Sequence, residues 1–432
     1  MSRISLQLRR AGADGTVTMM ACTLIAGAAA YIWQAAGTRK LGSIAFAPVA
    51  TTWTITFLIT TILLVPIEQF ATRTVASSGD GRAQLAHAAW TLTKLIGGAT
   101  LAVGVIVIAL SHSLFQGSYG YALICMAIVP CFAQLLFVRG ILGGERDFEG
   151  YGWLSMADAL TRLGVGLPLV LLGGSALAFA WTIPACTLVA LCWARHWPTR
   201  EEARQRMAPD VPVGPFLTTT VGGSAAAQLI LAGGPLLLAL LNAPDQAVTV
   251  FFVTQTVMRG AFLIATPAWA RTLPTLTAAA LRREHRRLSR LAELLLAASV
   301  LLAVILGAAA AVVGPPVVAA LFGQGSRPDA LLAALLAAGT VLAIGNLGLN
   351  QLLVAAVRTN RIMIGWWTAL LVNLAWVGLG PGVALHRVAV GFVIGELVAM
   401  IMLTVASSPG LAPAQVVLVL RRLRAERTIS QP

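Results

Sequence analysis

Arg259 is the residue in this chain whose type and place most suggest chemistry. It lies near the middle of an apolar run, 246–269, with Gln255 one helical turn earlier on the same face. A charge inside a membrane-length apolar helix is costly, so it marks either a functional site or a paired structural one. A guanidinium presents a planar fork of donors that matches phosphate oxygens. Beside a glutamine on a cavity wall, Arg259 would contact a pyrophosphate; the competing reading is an internal ion pair, with Glu396, midway along run 388–406, as the carboxylate. Lys94 lies a few turns into run 86–111, where its stem could reach a substrate or snorkel to the near interface. Asp158 and Arg162 are four apart, so they share a helix face and can pair with each other. The substrate-binding candidates are therefore Arg259, Gln255, Lys94, Arg162 and Gln228, with Glu396 and Asp158 as candidate ion-coupling carboxylates. Further polar side chains could line a wet cavity that accepts sugar hydroxyls: Thr51, Thr52, Thr54, Thr56, Thr60 and Thr61 in one run, Ser224 with Gln228, and Asn346 with Asn350. Each could equally hydrogen-bond between helices.

Other chemistries find no residues to carry them. The sequence has no nucleophile–base constellation, no metal-ligand spacing and no Gly-rich phosphate loop, so neither an enzyme nor a cofactor is expected. The five cysteines, Cys22, Cys125, Cys131, Cys186 and Cys192, all fall in apolar runs without CxxC spacing, which reads as helix packing.

The elements that must position these residues are membrane helices. Of 432 residues, 58% are hydrophobic and 11% charged, against roughly 25% charged in soluble domains. Runs long enough to span a bilayer fall at 16–36, 44–67, 86–111, 120–139, 152–173, 175–194, 216–241, 246–269, 291–313, 329–356, 362–379 and 388–406. The expected class is an all-α integral membrane protein of about twelve spans. The net charge of +14 would suggest nucleic acid in a soluble protein, but here the basic residues cluster between apolar runs. With the N-terminus inside, only Arg39, Lys40, Arg327 and Arg387 fall outside, Lys94, Arg162 and Arg259 fall within spans, and the other 23 of 30 Lys and Arg fall inside. That bias places both termini in the cytoplasm. The first apolar run is longer than a signal-peptide core and reads as an uncleaved span.

The longest polar break, RHWPTREEARQRMAPDVPVG, separates two sets of six spans. The expected division is an N-terminal six-helix bundle (1–195), a cytoplasmic linker (196–215), a C-terminal six-helix bundle (216–406) and a basic cytoplasmic tail (407–432). An even number of spans per half gives parallel repeats, a layout in which transporters bind substrate between the halves. RREHRRLSR, Arg282 to Arg290, is the densest basic stretch; it reads as positive-inside topology or as an interfacial helix drawn to anionic headgroups.

Three segments carry a family resemblance: RKLGSIAFAPVATTW after the first span, PIEQFATRTVA closing the second, and VRGILGGERDFEGYG joining the fourth and fifth. With the six-plus-six layout, they resemble the multidrug/oligosaccharidyl-lipid/polysaccharide (MOP) flippase superfamily, nearest its polysaccharide and O-antigen flippases. The second glycine of the family's first turn is absent here. The resemblance implies a MATE-like fold and an alternating-access flippase of the bacterial inner membrane. Its substrate would be an undecaprenyl-pyrophosphate-linked oligosaccharide for cell-surface polysaccharide biosynthesis. A polysaccharide polymerase and glycosyltransferases would be partners, along with membrane lipids; nucleic acid would not. Two other readings stand beside it. A MATE-like drug or cation antiporter would favour cavity carboxylates. A non-transporting scaffold of a polysaccharide-assembly complex would leave little trace in sequence.

Overall fold

The structure, a computed structural model, describes residues 3–77, 81–205, 207–209, 212–270, 272–282, 284–356 and 358–407. The expected basic tail therefore lies outside the described residues beyond Ser407, as do Arg271 and Arg283. Among the described residues every regular element is helical. The first group comprises α1 (Arg3–Ala45), α2 (Ala47–Leu58), α3 (Val65–Ser77), α4 (Gly81–Ala109), α5 (Ser111–Phe115), α6 (Tyr119–Glu145), α7 (Phe148–Leu171) and α8 (Ala176–Ala185). The short α9 (Arg200–Arg204) follows in the linker. Next come α10 (Val213–Ala232), α11 (Gly234–Leu240), α12 (Asp245–Met258), α13 (Gly260–Ala270) and α14 (Leu273–Leu281). The chain ends in α15 (His285–Phe322), α16 (Ala330–Ala355), α17 (Thr359–Leu379) and α18 (Ala384–Ser407).

Among the described residues ten helices are long and apolar enough to cross a membrane, and eleven if one bent pair counts as a span. The twelve expected from hydropathy differ from this at runs seven and eight. Run seven is α10 and α11, which meet at 74°. The break falls at Gly233-Gly234-Pro235, where proline removes a helical donor; a Cβ on Gly234 would lie 2.1 Å from the Phe251 ring. Run eight is α12 and α13, interrupted at Arg259. The second span also changes pitch, widening to a π-helical stretch over Ile59–Leu64 just ahead of Pro66. There the Val65 N–H reaches back five residues to the Thr60 carbonyl, accommodating the proline that follows.

The chain forms two compact units. One runs to Val253 and takes in Pro316–Pro328; the other holds Thr254–Pro315 and the described chain from Asp329 onward. Compactness thus divides the chain inside α12, a different criterion from the repeat division at 196–215.

In the first unit α6 is central, with Ile124, Cys125, Ile128, Val129, Val138 and Leu142 fully enclosed. It packs on α3 through two glycines one turn apart. A Cβ on Gly140 would come 2.7 Å from the Glu68 carbonyl oxygen, and one on Gly144 would come 2.9 Å from that of Thr72. This is the small-xxx-small spacing that lets membrane helices touch backbone to backbone. Thr72 uses that closeness, donating to the Gly140 carbonyl at 3.1 Å. The outward faces of α1 and α4 carry bare aliphatics, such as Leu24 and Leu101, as lipid-facing helices do. In the second unit α16 and α18 form the core, with Phe392 seated on Gly339 and Met400 on Gly345. Arg358 and Arg361 both donate to the Ala406 carbonyl at 2.9 Å, closing the C-terminal end of α18.

The linker is tied to the first unit by Arg82. Its guanidinium bonds Glu202 at 2.7 Å, pairs with Glu145, and donates to the carbonyls of His196 and Trp197 at 3.3 Å. Glu202 also closes a capping box with Thr199 at the start of α9. Burial works against the Glu202 carboxylate, but the Thr199 N–H and Arg82 outweigh it and hold the group below the usual 4.5. A carboxyl held low in the fold contributes stability above its unfolded value and loses it as pH falls through the folded one.

Two outcomes follow from these contacts. Gly140→Leu lowers stability by about 1–3 kcal/mol, read as a fall in melting temperature in detergent. Gly97→Ala, a site with nothing within 4 Å, leaves the melting temperature unchanged. The hydrogen-exchange protection of α9, relative to the intrinsic rate at each pH, falls as pH drops through the lowered Glu202 value, and Glu202→Gln lacks that protection at pH 7 already.

Candidate functional site

The first unit holds two polar clusters between its helices. In one, the Tyr151 hydroxyl donates to Glu68 Oε1 at 2.8 Å and accepts from Arg139, whose Nη2 lies 3.4 Å from the same carboxylate. The Arg139 guanidinium also sits 4.6 Å from the Tyr151 ring centroid. All three residues come from the resemblance-bearing segments: Glu68 from PIEQFATRTVA, and Arg139 and Tyr151 from VRGILGGERDFEGYG. The turn that delivers Tyr151 is built locally. Arg146 takes φ 62°, and Asp147 caps α7 by accepting from the Gly150 N–H at 2.8 Å.

In the other cluster, Arg162 bonds Asp158 one turn away, both more than nine-tenths buried. The guanidinium lies 5.0 Å from the Trp53 ring, and Trp53 stacks on Trp33, which stacks in turn on Phe179 at 4.3 Å. Trp33 spends its N–H on Thr182 at 3.1 Å. A Cβ on Gly166 would lie 2.4 Å from the Trp33 indole nitrogen, so glycine at that position admits the stack. Asp158 Oδ1 and Arg162 Nε are buried without hydrogen-bond partners. The pair expected from its i,i+4 spacing is therefore formed and enclosed, with unused hydrogen-bonding capacity.

In the second unit, Asn346 donates to Glu396 twice, to Oε2 at 2.8 Å and to the main-chain carbonyl at 2.9 Å. Glu396 is fully enclosed. Its Oε1, the Asn346 Oδ1 and, on α17, the Asn373 Oδ1 are buried without partners. Three acceptor oxygens on α16, α17 and α18 thus lie inside one helical unit with no donor assigned to them. An ionised carboxylate so enclosed needs a proton or a cation. Among the described residues Glu396 takes its hydrogen bonds from Asn346 rather than from Arg259, the partner weighed from the sequence. Asn350, a turn beyond Asn346, accepts from the Trp366 N–H at 3.1 Å.

Arg259 lies at the interruption between α12 and α13, half-buried, with Gln255 buried one turn before it. Its main-chain N–H reaches the Gln255 carbonyl at 2.9 Å. Lys94 is exposed on α4, with its ammonium 5.0 Å from the Trp90 ring, one turn toward the end of the helix that the charge pattern assigns to the cytoplasm. Gln228 is half-buried on α10, and its Oε1 has no partner. The structure thus joins Asp158 with Arg162, keeps Gln255 and Arg259 one helical turn apart through a main-chain bond, and leaves Lys94 on an outer face of its unit.

Of the two readings open for the threonines, four of the six show hydrogen bonding within the helix. Thr52, Thr54, Thr56 and Thr61 donate to carbonyls four residues back in their own helix, at 2.7 to 2.9 Å. Ser224 does the same to Thr220 at 3.0 Å. In an apolar helix the nearest acceptor is the preceding turn's carbonyl, so these hydroxyls are satisfied at home. Conversely, the Glu68–Tyr151–Arg139 cluster was not anticipated. Its signal was the GxxxG spacing at Gly140 and Gly144, which marks the α6 face that meets α3.

Together these features define a multi-pass α-helical membrane protein, with charged clusters sequestered inside its helical units. Its fold is that of the MATE transporters of the MOP superfamily. The chain is similar to an inward-facing multidrug resistance MATE-family transporter at a TM-score of 0.65 and 14% identity, over 96% of this chain and 100% of that one. It is similar to a variant of the Vibrio cholerae MATE transporter VcmN at 0.57 and 15%, over 92% and 96% of the two chains. It also resembles a MOP-superfamily transporter of Pyrococcus furiosus, described as having a binding pocket of reverse polarity, at 0.56 and 15%, over 91% and 93%. No family model and no curated protein sequence matches the chain.

Tyr151→Phe removes the hydroxyl that links Glu68 to Arg139 and costs about 1–3 kcal/mol. Chemical unfolding in detergent reads this loss, and Tyr119→Phe, at an exposed ring, leaves stability unchanged.

Proposed function

We propose that this protein is a flippase that carries an undecaprenyl-pyrophosphate-linked oligosaccharide from the cytoplasmic to the outer leaflet of a bacterial inner membrane, by alternating access. The observation that carries the reading is Arg259, a permanently charged fork donor set at an interruption in an apolar helix, with Gln255 one turn away. Interrupted helices are where transporters of many folds build substrate sites. The transporter fold supports the class, and the three motif segments support the branch. The buried acids of each unit are drawn into local contacts: Glu68 with Tyr151 and Arg139, Asp158 with Arg162, and Glu396 with Asn346. This distribution suits an anionic cargo better than a cationic one. The Pyrococcus protein's described pocket of reverse polarity indicates that the fold admits pockets of more than one sign. Gln228 and Lys94 are proposed as secondary contacts to the head group, Arg162 as a further cation, and Glu396 with Asp158 as the coupling carboxylates. A polymerase and glycosyltransferases would act on the same lipid-linked sugar.

The second reading, a drug or cation antiporter, is favoured by the fold's likeness to multidrug MATE transporters and by the enclosed Glu396.

Proteoliposomes carrying the purified protein decide between them. In the flippase reading, a fluorescent lipid-linked sugar crosses the bilayer and Arg259→Ala abolishes the crossing while the protein stays inserted. Arg259→Lys keeps partial activity, because the charge survives but the fork does not. Wild-type rates in Arg259→Ala would remove the phosphate contact. Movement of a cationic dye with no movement of the lipid-linked sugar would establish the antiporter. Glu396→Gln makes transport insensitive to an imposed pH or sodium gradient; an unaltered gradient response would exclude Glu396 from coupling.

A further inference from the structure

The basic stretch from Arg282 to Arg290 has no part in the proposed transport step, yet the structure gives it a setting. α14 ends at Leu281, the chain turns through Arg282 and Glu284, and α15 begins at His285. The Glu284 N–H reaches back to the Ala279 carbonyl at 3.1 Å and so tightens the turn. Below this turn, inside the second unit, is a cavity of about 370 Å³ walled by Trp269, Thr275, Leu276, Leu291, Leu295 and Leu352. Its floor is Gly348, where a Cβ would lie 2.7 Å from the Trp269 ring, so the indole rests directly on helical backbone. Thr272, also on the wall, spends its hydroxyl on the Trp269 carbonyl at 2.7 Å. The lining is therefore mainly apolar.

The arginines stand in register with this wall. Leu291 and Leu295 share a face of α15, and Arg287 occupies the same face one turn before them, with Arg290 flanking it. On α14, Arg282 lies two turns beyond Thr275 on the same face. Arg282, Arg287 and Arg290 are all exposed. Two acids lie nearby, Glu284 paired with Arg287 at 2.8 Å and Glu293 one turn beyond Arg290 on its side of α15, and the exposed Arg282, Arg286, Arg287 and Arg290 outnumber them, so the rim is net positive. Leu291 and Leu294 are partly exposed, and the apolar span opens from Arg286. The site thus has a cationic rim at a membrane interface above a trough at acyl-chain depth.

We propose that this groove between α14 and α15 binds an anionic phospholipid. The phosphate sits among Arg282, Arg287 and Arg290, and one acyl chain lies against Leu276, Leu291, Leu295 and Trp269. The charge complementarity selects an acidic headgroup over a zwitterionic one, because each arginine near the surface favours the anion. The apolar depth selects a lipid over a soluble phosphate.

The test uses delipidated full-length protein in detergent, given equimolar phosphatidylglycerol and phosphatidylcholine of identical chains. Native mass spectrometry reads the lipid retained. Wild-type protein holds phosphatidylglycerol over phosphatidylcholine by about tenfold. The triple variant R282Q/R287Q/R290Q loses that preference. The triple variant R195Q/R200Q/R204Q, with the same change in net charge elsewhere, keeps it. Leu295→Trp, which fills the trough with the arginines intact, lowers retention of both lipids and decides the matter if the first variant does not fold. Equal retention of the two lipids by wild-type protein overturns the proposal, as does a preference that survives both R282Q/R287Q/R290Q and Leu295→Trp. Stoichiometric displacement of phosphatidylglycerol by undecaprenyl phosphate also overturns it, because the groove would then belong to the transported lipid. Flipping by Arg259→Ala is not an arm of this test, so the two proposals fail separately.

Discussion

The structure depends on one constraint: inside a bilayer a polar group must find its partner within the protein. Water cannot rescue a stray donor, and an unpaired charge is costlier still. The chain meets this requirement at three levels. Hydroxyls of Thr52, Thr54, Thr56 and Ser224 bond to their own helices. Charged groups at helix ends bond to carbonyls, as Arg358 and Arg361 do at Ala406. Charges packed between helices form closed groups, Glu68–Tyr151–Arg139 at the span ends and Asp158–Arg162 deeper in the bundle. Pairing of this kind makes a cluster costly to break by removing one member, whatever its net contribution to stability.

Satisfying buried charges requires helices to approach closely, and glycine permits that approach. Gly140 and Gly144 bring α6 against α3, which brings Arg139 within reach of Glu68. Gly166 admits the Trp33 indole, and that ring joins the Trp53 stack beneath Arg162. Composition rich in glycine is therefore tied to electrostatics as well as to packing. A Cβ at Gly140 would push against main chain rather than against a flexible tip, so the strain would pass to the ion pair next to it. Packing and charge at this point are one feature.

Much of this was legible in the residues, and the limits have physical causes. Long apolar runs such as α4, α6 and α15 stand out because lipid imposes a minimum length on a straight helix. The Asp158–Arg162 pair was visible because both partners lie on one helix, four residues apart. The breaks at Gly233 and Arg259 were not, because hydropathy averages over some twenty residues and a kink occupies two or three. The Glu68 cluster needed three spans brought together, and span order does not supply that register. Its residues were on the page as motif letters, and their shared purpose appears only in three dimensions. The threonines left two readings open because residue type reports capacity to hydrogen-bond, while helix geometry decides where the bond goes.

The two units differ in what they leave open, and the difference bears on mechanism. In the first, each buried acid faces a cation, so a change of protonation would have to break an existing pair. In the second, Glu396 faces an amide, and Asn346 can donate to the carboxyl in either protonation state. An amide partner anchors the side chain without neutralising it, which leaves Glu396 Oε1 able to take up a proton. A group that titrates without breaking an ion pair suits repeated use in a cycle; a salt bridge suits holding a bundle together. By that argument Glu396 is the better placed of the two proposed coupling carboxylates, and Asp158 would have to release Arg162 before it could take up an ion.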